Sequence, residues 1–232
     1  MERELKIKLL HDFIHRAAFH HVQWFNQIEK FLGKEKAYSA LEVVYKQSSE
    51  IQIKRLTKVF SDENNILNLS DTKIDQLLES VAVNWLANDG VWFQAIEFTH
   101  GMSVAKRCND SCWAEFSPME AWSIMKFLSL PEKSGIEGLK QALNFRLYSV
   151  INKHSIVEES SHSFVFQMND CRVQSARKRK GLDDYPCKSG GLVEYTEFAL
   201  AIDHRIATEC ISCPPDKHPE NYYCAWRFIL SE

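Results

Sequence analysis

A chain of 232 residues that is 45% hydrophobic, 25% charged and 12% aromatic is too apolar for a disordered polymer and long enough to bury a sizeable core. Its formal net charge of −3 argues against a general nucleic-acid partner. The seven cysteines are odd in number, so they cannot all close into internal disulfides, and a core of this size does not need such staples.

The opening stretch, MERELKIKLLHDFIHRAAFHH, mixes charge and apolar residues from its first turn. It lacks the unbroken apolar run of a signal peptide or membrane span, so a reducing cytoplasm and no membrane partner are expected. Leu10, Phe13, Ile14, Ala17, His21, Trp24, Phe25, Ile28 and Phe31 recur at helical steps and predict a first helix ending near Gly33. A second stripe runs from Ala37 through Ala40, Leu41, Val44, Ser48, Ile51, Leu56, Val59 and Phe60. A third helix is predicted over Asp71 to Leu86, capped by Ser70 and stopped by Asn88-Asp89-Gly90. Val91 to His100, VWFQAIEFTH, alternates and reads as a strand, with another helix after Gly101.

Ser117-Pro118-Met119-Glu120 has the residues of a reciprocal helix cap and predicts a helix start running through Leu128. Ser134 and Glu137 repeat the spacing before a shorter helix. From Asn144 to Asn152 the period becomes two, and it does so again around Phe164 and Phe166, so two strands are expected. Asp170 can cap a helix over CRVQSARKRK ending at Gly181, and Glu194 to Asp203 predicts another. Arg205 to Cys213 and Tyr222 to Leu230 read as a hairpin joined by PPDKHPEN. Helices first and an antiparallel sheet later give an α+β fold, with N-terminal helices packed on a C-terminal antiparallel sheet that carries a cysteine-rich hairpin. A single domain over 1–232 is expected, with a helical part at 1–90 and a mixed part at 91–232.

The cysteines fall into two groups. In Cys210-Ile211-Ser212-Cys213 the two-residue gap lets both sulfurs turn toward one centre about 2.3 Å away, as zinc-thiolate bonding requires. Cys224 lies across the hairpin, and Cys171, Cys187 or His218 can complete four ligands for zinc or an iron-sulfur cluster. Cys171 sits beside a predicted helix start, where the dipole and Arg172 favour a thiolate and Asp170 opposes it. Thiols filling core space are the plain structural alternative.

The second group is Cys108 and Cys112, close to Glu97, His100 and Asp110. A close turn at Gly101 would let His100 meet Cys108, giving a thiol nucleophile with His100 as base and Asp110 or Glu97 to orient it. The alternative buries both cysteines on one helix face. Arg177-Lys178-Arg179-Lys180 is followed at once by Asp183 and Asp184 and reads as a solvated helix end. His11 and His15 bring no third ligand and read as surface or packing residues. Gly190-Gly191 reads as a turn, and no phosphate-cradling glycine loop is present.

The segments Ser39-Ala40-Leu41-Glu42, Gln52-Ile53-Lys54-Arg55-Leu56, NDGVWFQAIEFTHG, AKRCNDSCW, FSPMEAW, MNDCRVQSARKRKGLDDYPCKSGGLVEY and CISCPPDKHPENYYCAW resemble an uncharacterised family of cytosolic proteins from anaerobic bacteria and archaea, over about Phe31 to Leu230. More distantly, the helical half resembles aminothiazoline-carboxylate hydrolases and the cysteine-bearing half resembles vinyl-reductase-type ligand-binding domains. The resulting expectation is a cysteine-ligated metal protein with a small-molecule pocket. The alternatives are a metal-independent hydrolase of a small sulfur- or nitrogen-containing heterocycle, or a ligand sensor without turnover. A small-molecule ligand is the expected partner, and the composition is compatible with a homo-oligomer.

Overall fold

The computed structural model of the chain describes residues 1–60, 69–182 and 185–231. The acidic pair Asp183 and Asp184, and the side chains of Leu56, Val59, Phe60 and Lys178, lie outside the described residues. The chain divides into two compact units, Met1–Cys112 and Trp113–Glu232. The division falls inside a helix, so the helical part extends past residue 90.

In the first unit α1 (Arg3–Leu32), α2 (Lys34–Phe60) and α3 (Asp71–His100) pack on one another, followed by the start of α4 (Met102–Leu128). Gly33, at φ 89°, turns α1 into α2 in the left-handed region that glycine enters without steric cost. α1 and α3 run the same way, with Lys6 reaching Asp75 and Trp24 reaching Asp89. α2 runs against them, placing Ser48 on Asn88 and Arg55 on Asn84. Leu10, Phe13, Trp24 and Ile28 of the predicted stripe are buried, but Ile14 is exposed and Arg16, His20 and Gln27 join the buried face. Ser70 caps α3 as predicted, accepting from Lys73 N at 3.3 Å. His11 and His15 are exposed.

Two expectations fail here. α3 does not stop at Asn88-Asp89-Gly90, and Val91 to His100 is helix, not strand. The turn-favouring side chains are used in tertiary bonds: Trp24 Nε1 donates to Asp89 Oδ1 at 2.7 Å and Ser48 Oγ to Asn88 Oδ1 at 2.6 Å. Those bonds, with Trp92, Phe93 and Ile96 buried at helical steps, outweigh the roughly 1 kcal/mol cost of Gly90 inside a helix. Ser117-Pro118 likewise begins nothing, because α4 starts at Met102 and carries Pro118 in its interior. Glu120 turns instead to Arg146 Nε at 2.9 Å and Leu147 N at 3.0 Å.

The second unit holds α5 (Gly135–Leu143), β1 (Lys153–Ser160), β2 (Ser163–Asp170), α6 (Arg172–Arg179), α7 (Lys188–Ile202), β3 (Ile206–Ser212) and β4 (Cys224–Leu230). All pairings are antiparallel, in the order β1-β2-β4-β3. The α+β class is as predicted, with helices first and a C-terminal four-stranded antiparallel sheet. Residues 144–152 are not a strand. Glu120 captures Arg146 and the Leu147 N–H, and a 3-10 turn forms at Leu147–Val150, so the first strand begins at Lys153. Ser134 makes no side-chain cap; Asp203 accepts from Gly135 N at 3.1 Å instead.

One face of the sheet is dry. Phe164, Phe166, Met168, Trp226 and Phe228 pack with Leu139 and Leu143 of α5 and with Tyr195, Phe198 and Ile202 of α7 in one hydrophobic cluster. The other face carries Arg227, paired with Glu159 at 2.9 Å and Glu209 at 3.2 Å. Register shifts interrupt β1 near both ends and β3 between Cys210 and Ser212. Gly190-Gly191 is not a turn but the opening of α7. A Cβ on Gly191 would stand 2.5 Å from Trp226 Cζ2, so only glycine lets the helix lie this close to the strand.

Candidate functional site

Five cysteines gather at one end of the sheet. Cys224 opens β4 on the same face as Trp226 and Phe228, opposite Met168 of β2. Cys210 stands across from Trp226 in β3. The register shift that follows re-aims the chain, as bulges do, and Cys213 enters the core almost fully buried. Cys171 immediately precedes α6 and Cys187 immediately precedes α7. All seven cysteines are free thiols, and these five belong to the hydrophobic cluster or pack against it.

Each cysteine-bearing segment is tied to its neighbours. Buried Gln174 clasps the segment before α7, donating to Tyr185 O at 2.9 Å and to Cys187 Sγ at 3.2 Å while accepting from Tyr185 N at 3.0 Å. Lys188 N donates to Pro214 O at 2.9 Å, and its ammonium meets Asp216 at 2.7 Å. Asp216 N closes the turn after β3 onto Cys213 O at 2.8 Å. Tyr223 N donates to Met168 O at 2.8 Å, fixing the approach to Cys224.

The sulfurs meet unequally. Cys213 shares hydrogen bonds with the thiols of Cys187 and Cys224, and these bonds, followed by burial, push its own thiol far above the ordinary range. Burial, then the neighbouring Cys187, raises Cys171 in the same direction, with Cys224 adding to it. Backbone N–H groups of Gln174 and Val173 at the start of α6 oppose that rise without cancelling it, which settles the sign left open by Asp170 and the helix dipole. Cys210 is raised by burial, with Lys188 opposing, and among the thiols it senses Cys224 alone. Four thiols thus form the inner group, Cys171, Cys187, Cys213 and Cys224, and Cys210 sits at its rim. His218 is exposed and turns its Nδ1 to Pro219 O at 2.8 Å. Among the described residues no set of three or more His, Cys, Asp or Glu side chains is already spread in a metal-ligand arrangement.

The other candidate set lies in the first unit. Glu97 and His100 end α3, Gly101 turns the chain at φ 86°, and Cys108 and Asp110 lie in α4. Cys108 is fully buried, and burial pushes its thiol up to about 11 against the pull of Arg107. Asp110 pairs with Lys106 at 2.9 Å and accepts from Asn109 at 3.1 Å. Among the described residues no hydrogen bond joins His100 to Cys108. Cys112 is buried as well.

Sequence reasoning missed Gln174, Ser212 and Trp226 as parts of the cysteine site. Gln174 lies one helical turn beyond Cys171, a spacing that could have flagged it; Ser212 and Trp226 give no signal until strand register is known.

An α+β chain whose sheet end gathers free thiols from four elements defines the structural class. By its sequence the chain belongs to a family of unknown function, DUF6125, whose model matches residues 67–230. That span contains every cysteine. No curated protein and no solved structure matches the chain. Among the described residues no helix is long and apolar enough to cross a membrane.

Proposed function

We propose that the protein binds one thiophilic metal ion, zinc in type, through Cys171, Cys187, Cys213 and Cys224. The observation that supports this is the contact of Cys213 with Cys187 and Cys224, with Cys171 beside the latter pair. Sulfurs on a tetrahedron of about 2.3 Å radius stand about 3.8 Å apart, close to the spacing of touching thiols. An iron-sulfur cluster holds its cysteine sulfurs farther apart, because iron and inorganic sulfide lie between them, so a mononuclear ion suits this spacing better. The protonated thiols pack against one another, and a metal would replace their protons and draw the sulfurs around itself. Four thiolates leave no open coordination position, which makes the ion structural or sensory instead of hydrolytic. Such a site needs a reducing compartment, consistent with the cytoplasm.

A thiol hydrolase using Cys108, His100 and Asp110 or Glu97, as the distant hydrolase likeness implies, is the weaker reading. A thiol with a pKa of about 11 holds roughly one part in ten thousand thiolate at pH 7.

Purification without oxygen, followed by metal analysis, tests the metal reading. About one metal per chain is expected, or on cobalt(II) addition the absorption of a tetrahedral thiolate complex. Cys213→Ser should weaken cobalt binding at least hundredfold, beyond the ~10- to 100-fold typical of losing an outer hydrogen bond to a ligand. Cys210→Ser should change it by less than about threefold, being outside the ligand set. Metal-free protein that gives no cobalt spectrum while retaining all its thiols would overturn the proposal. So would equal losses in both variants.

A further inference from the structure

Two buried polar groups beside the inner thiols have nothing to bond. Trp226 Nε1 and Ser212 Oγ are both without a hydrogen-bond partner, in residues 0% and 7% exposed. Native cores satisfy nearly all such groups, and an orphaned one costs about 1–3 kcal/mol. Their placement is specific. Trp226 follows Cys224 by two positions on the same sheet face and stands opposite Cys210. Its Cε2, the carbon bonded to Nε1, lies 3.6 Å from where a Cβ of Gly191 would be, against the turn of α7 that Cys187 begins. The indole is therefore bracketed by three thiol-bearing segments. Ser212 is the residue before Cys213, at the register shift that turns Cys213 inward.

Charge gives these donors a purpose. Four thiolates around one dication carry two excess negative charges in a dry site, and such charge is tolerated only when hydrogen-bonded. A neutral thiol is a weak acceptor and asks little of its neighbours, whereas a thiolate attracts every available donor. The protein already directs Gln174 Nε2 at Cys187 and two backbone N–H groups at Cys171. No comparable donor from outside the thiols is aimed at Cys213, and Trp226 and Ser212 are the orphaned donors beside it and Cys224.

We infer that the Trp226 indole N–H and the Ser212 hydroxyl are positioning residues that donate to the cysteine sulfurs once a metal is bound, setting both its affinity and the electronic character of its thiolates. This rests on the metal reading above. Hydrogen bonds to a thiolate lower the energy of its lone pairs, so removing one moves sulfur-to-cobalt charge transfer to longer wavelength.

The experiment uses full-length protein loaded with cobalt(II) under anaerobic conditions, comparing parent, Trp226→Phe and Ser212→Ala. Each variant should shift the charge-transfer band to longer wavelength and lose cobalt to a competing chelator at about tenfold lower chelator concentration. A packing role alone would lower thermal stability and leave the band in place. Ser212→Ala removes one oxygen and keeps the measurement available if Trp226→Phe does not fold. Unshifted bands in a cobalt-loaded variant overturn this inference and leave the metal site standing. A parent that takes up no cobalt overturns both.

Discussion

The two units treat buried tryptophan differently. In the first, three indoles are each committed: Trp24 donates to Asp89 at 2.7 Å, Trp85 to His20 Nδ1 at 2.6 Å and Trp92 to His21 Nδ1 at 3.0 Å. In the second, Trp226 is just as deeply buried and its N–H meets nothing. The first pattern is a closed polar network that fixes the register of three helices, since each partner lies on a different helix from its indole. The second leaves donor capacity over beside a group of thiols. Completed networks specify a core, and capacity left over next to reactive groups points to a site where something binds.

The largest stability effect should come from the one fully closed ionic network of the second unit. Arg146 meets Glu120 at 2.9 Å and Glu194 at 2.7 Å, all three buried, and the two carboxylates hold the guanidinium charged against the cost of burial. Arg146→Met leaves two carboxylates in the core without their cation and should cost about 3–5 kcal/mol in denaturant unfolding. Adding Glu120→Gln should recover part of that loss. No recovery would mean that Arg146 acts through packing against Phe198 and its aromatic neighbours, and the contrast between closed and open regions would lose its ionic half.

Next comes Gly191→Ala, which places a methyl carbon against the Trp226 ring and should cost about 1–3 kcal/mol through overpacking. If the ring shifts to accommodate it, cobalt binding should fall as well, because the indole has moved from the thiols. A stable variant with unchanged cobalt affinity would separate the ring from the site.

The smallest effect belongs to the first unit. His21 is partly buried, and burial holds its pKa below the ordinary histidine value; Trp92 donating to Nδ1 favours the neutral ring. The unfolded chain, with a histidine pKa near 6.5, therefore binds the proton first as pH falls. Stability from the neutral ring is complete above about pH 6.5 and is lost toward the lower folded pKa, with a slope of at most about 1.4 kcal/mol per pH unit. His154 is shifted the same way by burial and adds its own slope. Thermal melts between pH 7 and 5 should show less pH dependence in His21→Asn than in the parent. Identical slopes would remove His21 from the acid response.

Much of this was legible in the residues, and the exceptions share a cause. The helical stripes, Ser70 as a cap, the β3–β4 hairpin and the grouping of five cysteines all rest on local pattern, which sequence displays. The failures came where a distant residue claimed a local signal. Asp89 and Asn88 serve Trp24 and Ser48 instead of a turn, and Glu120 serves Arg146 instead of Ser117. Gly191 answers to Trp226, not to its own backbone. The Cys210-Cys213 spacing suggested two equal ligands, yet the register shift between them sends only Cys213 inward. No spacing rule carries that information, since a bulge is visible only against the strand beside it.

The same irregularities that shape the sheet also decide what the sheet can join. β1 and β3 are its outer strands, and an outer strand exposes unpaired N–H and C=O groups to any other chain. β1 is interrupted by register shifts near both ends and carries Lys153, Glu158 and Glu159; β3 is interrupted at Cys210–Ser212 and carries Glu209. A second molecule adding a strand to either edge would meet a broken ladder and like charges, so assembly by sheet extension is disfavoured along both borders and aggregation through them is suppressed.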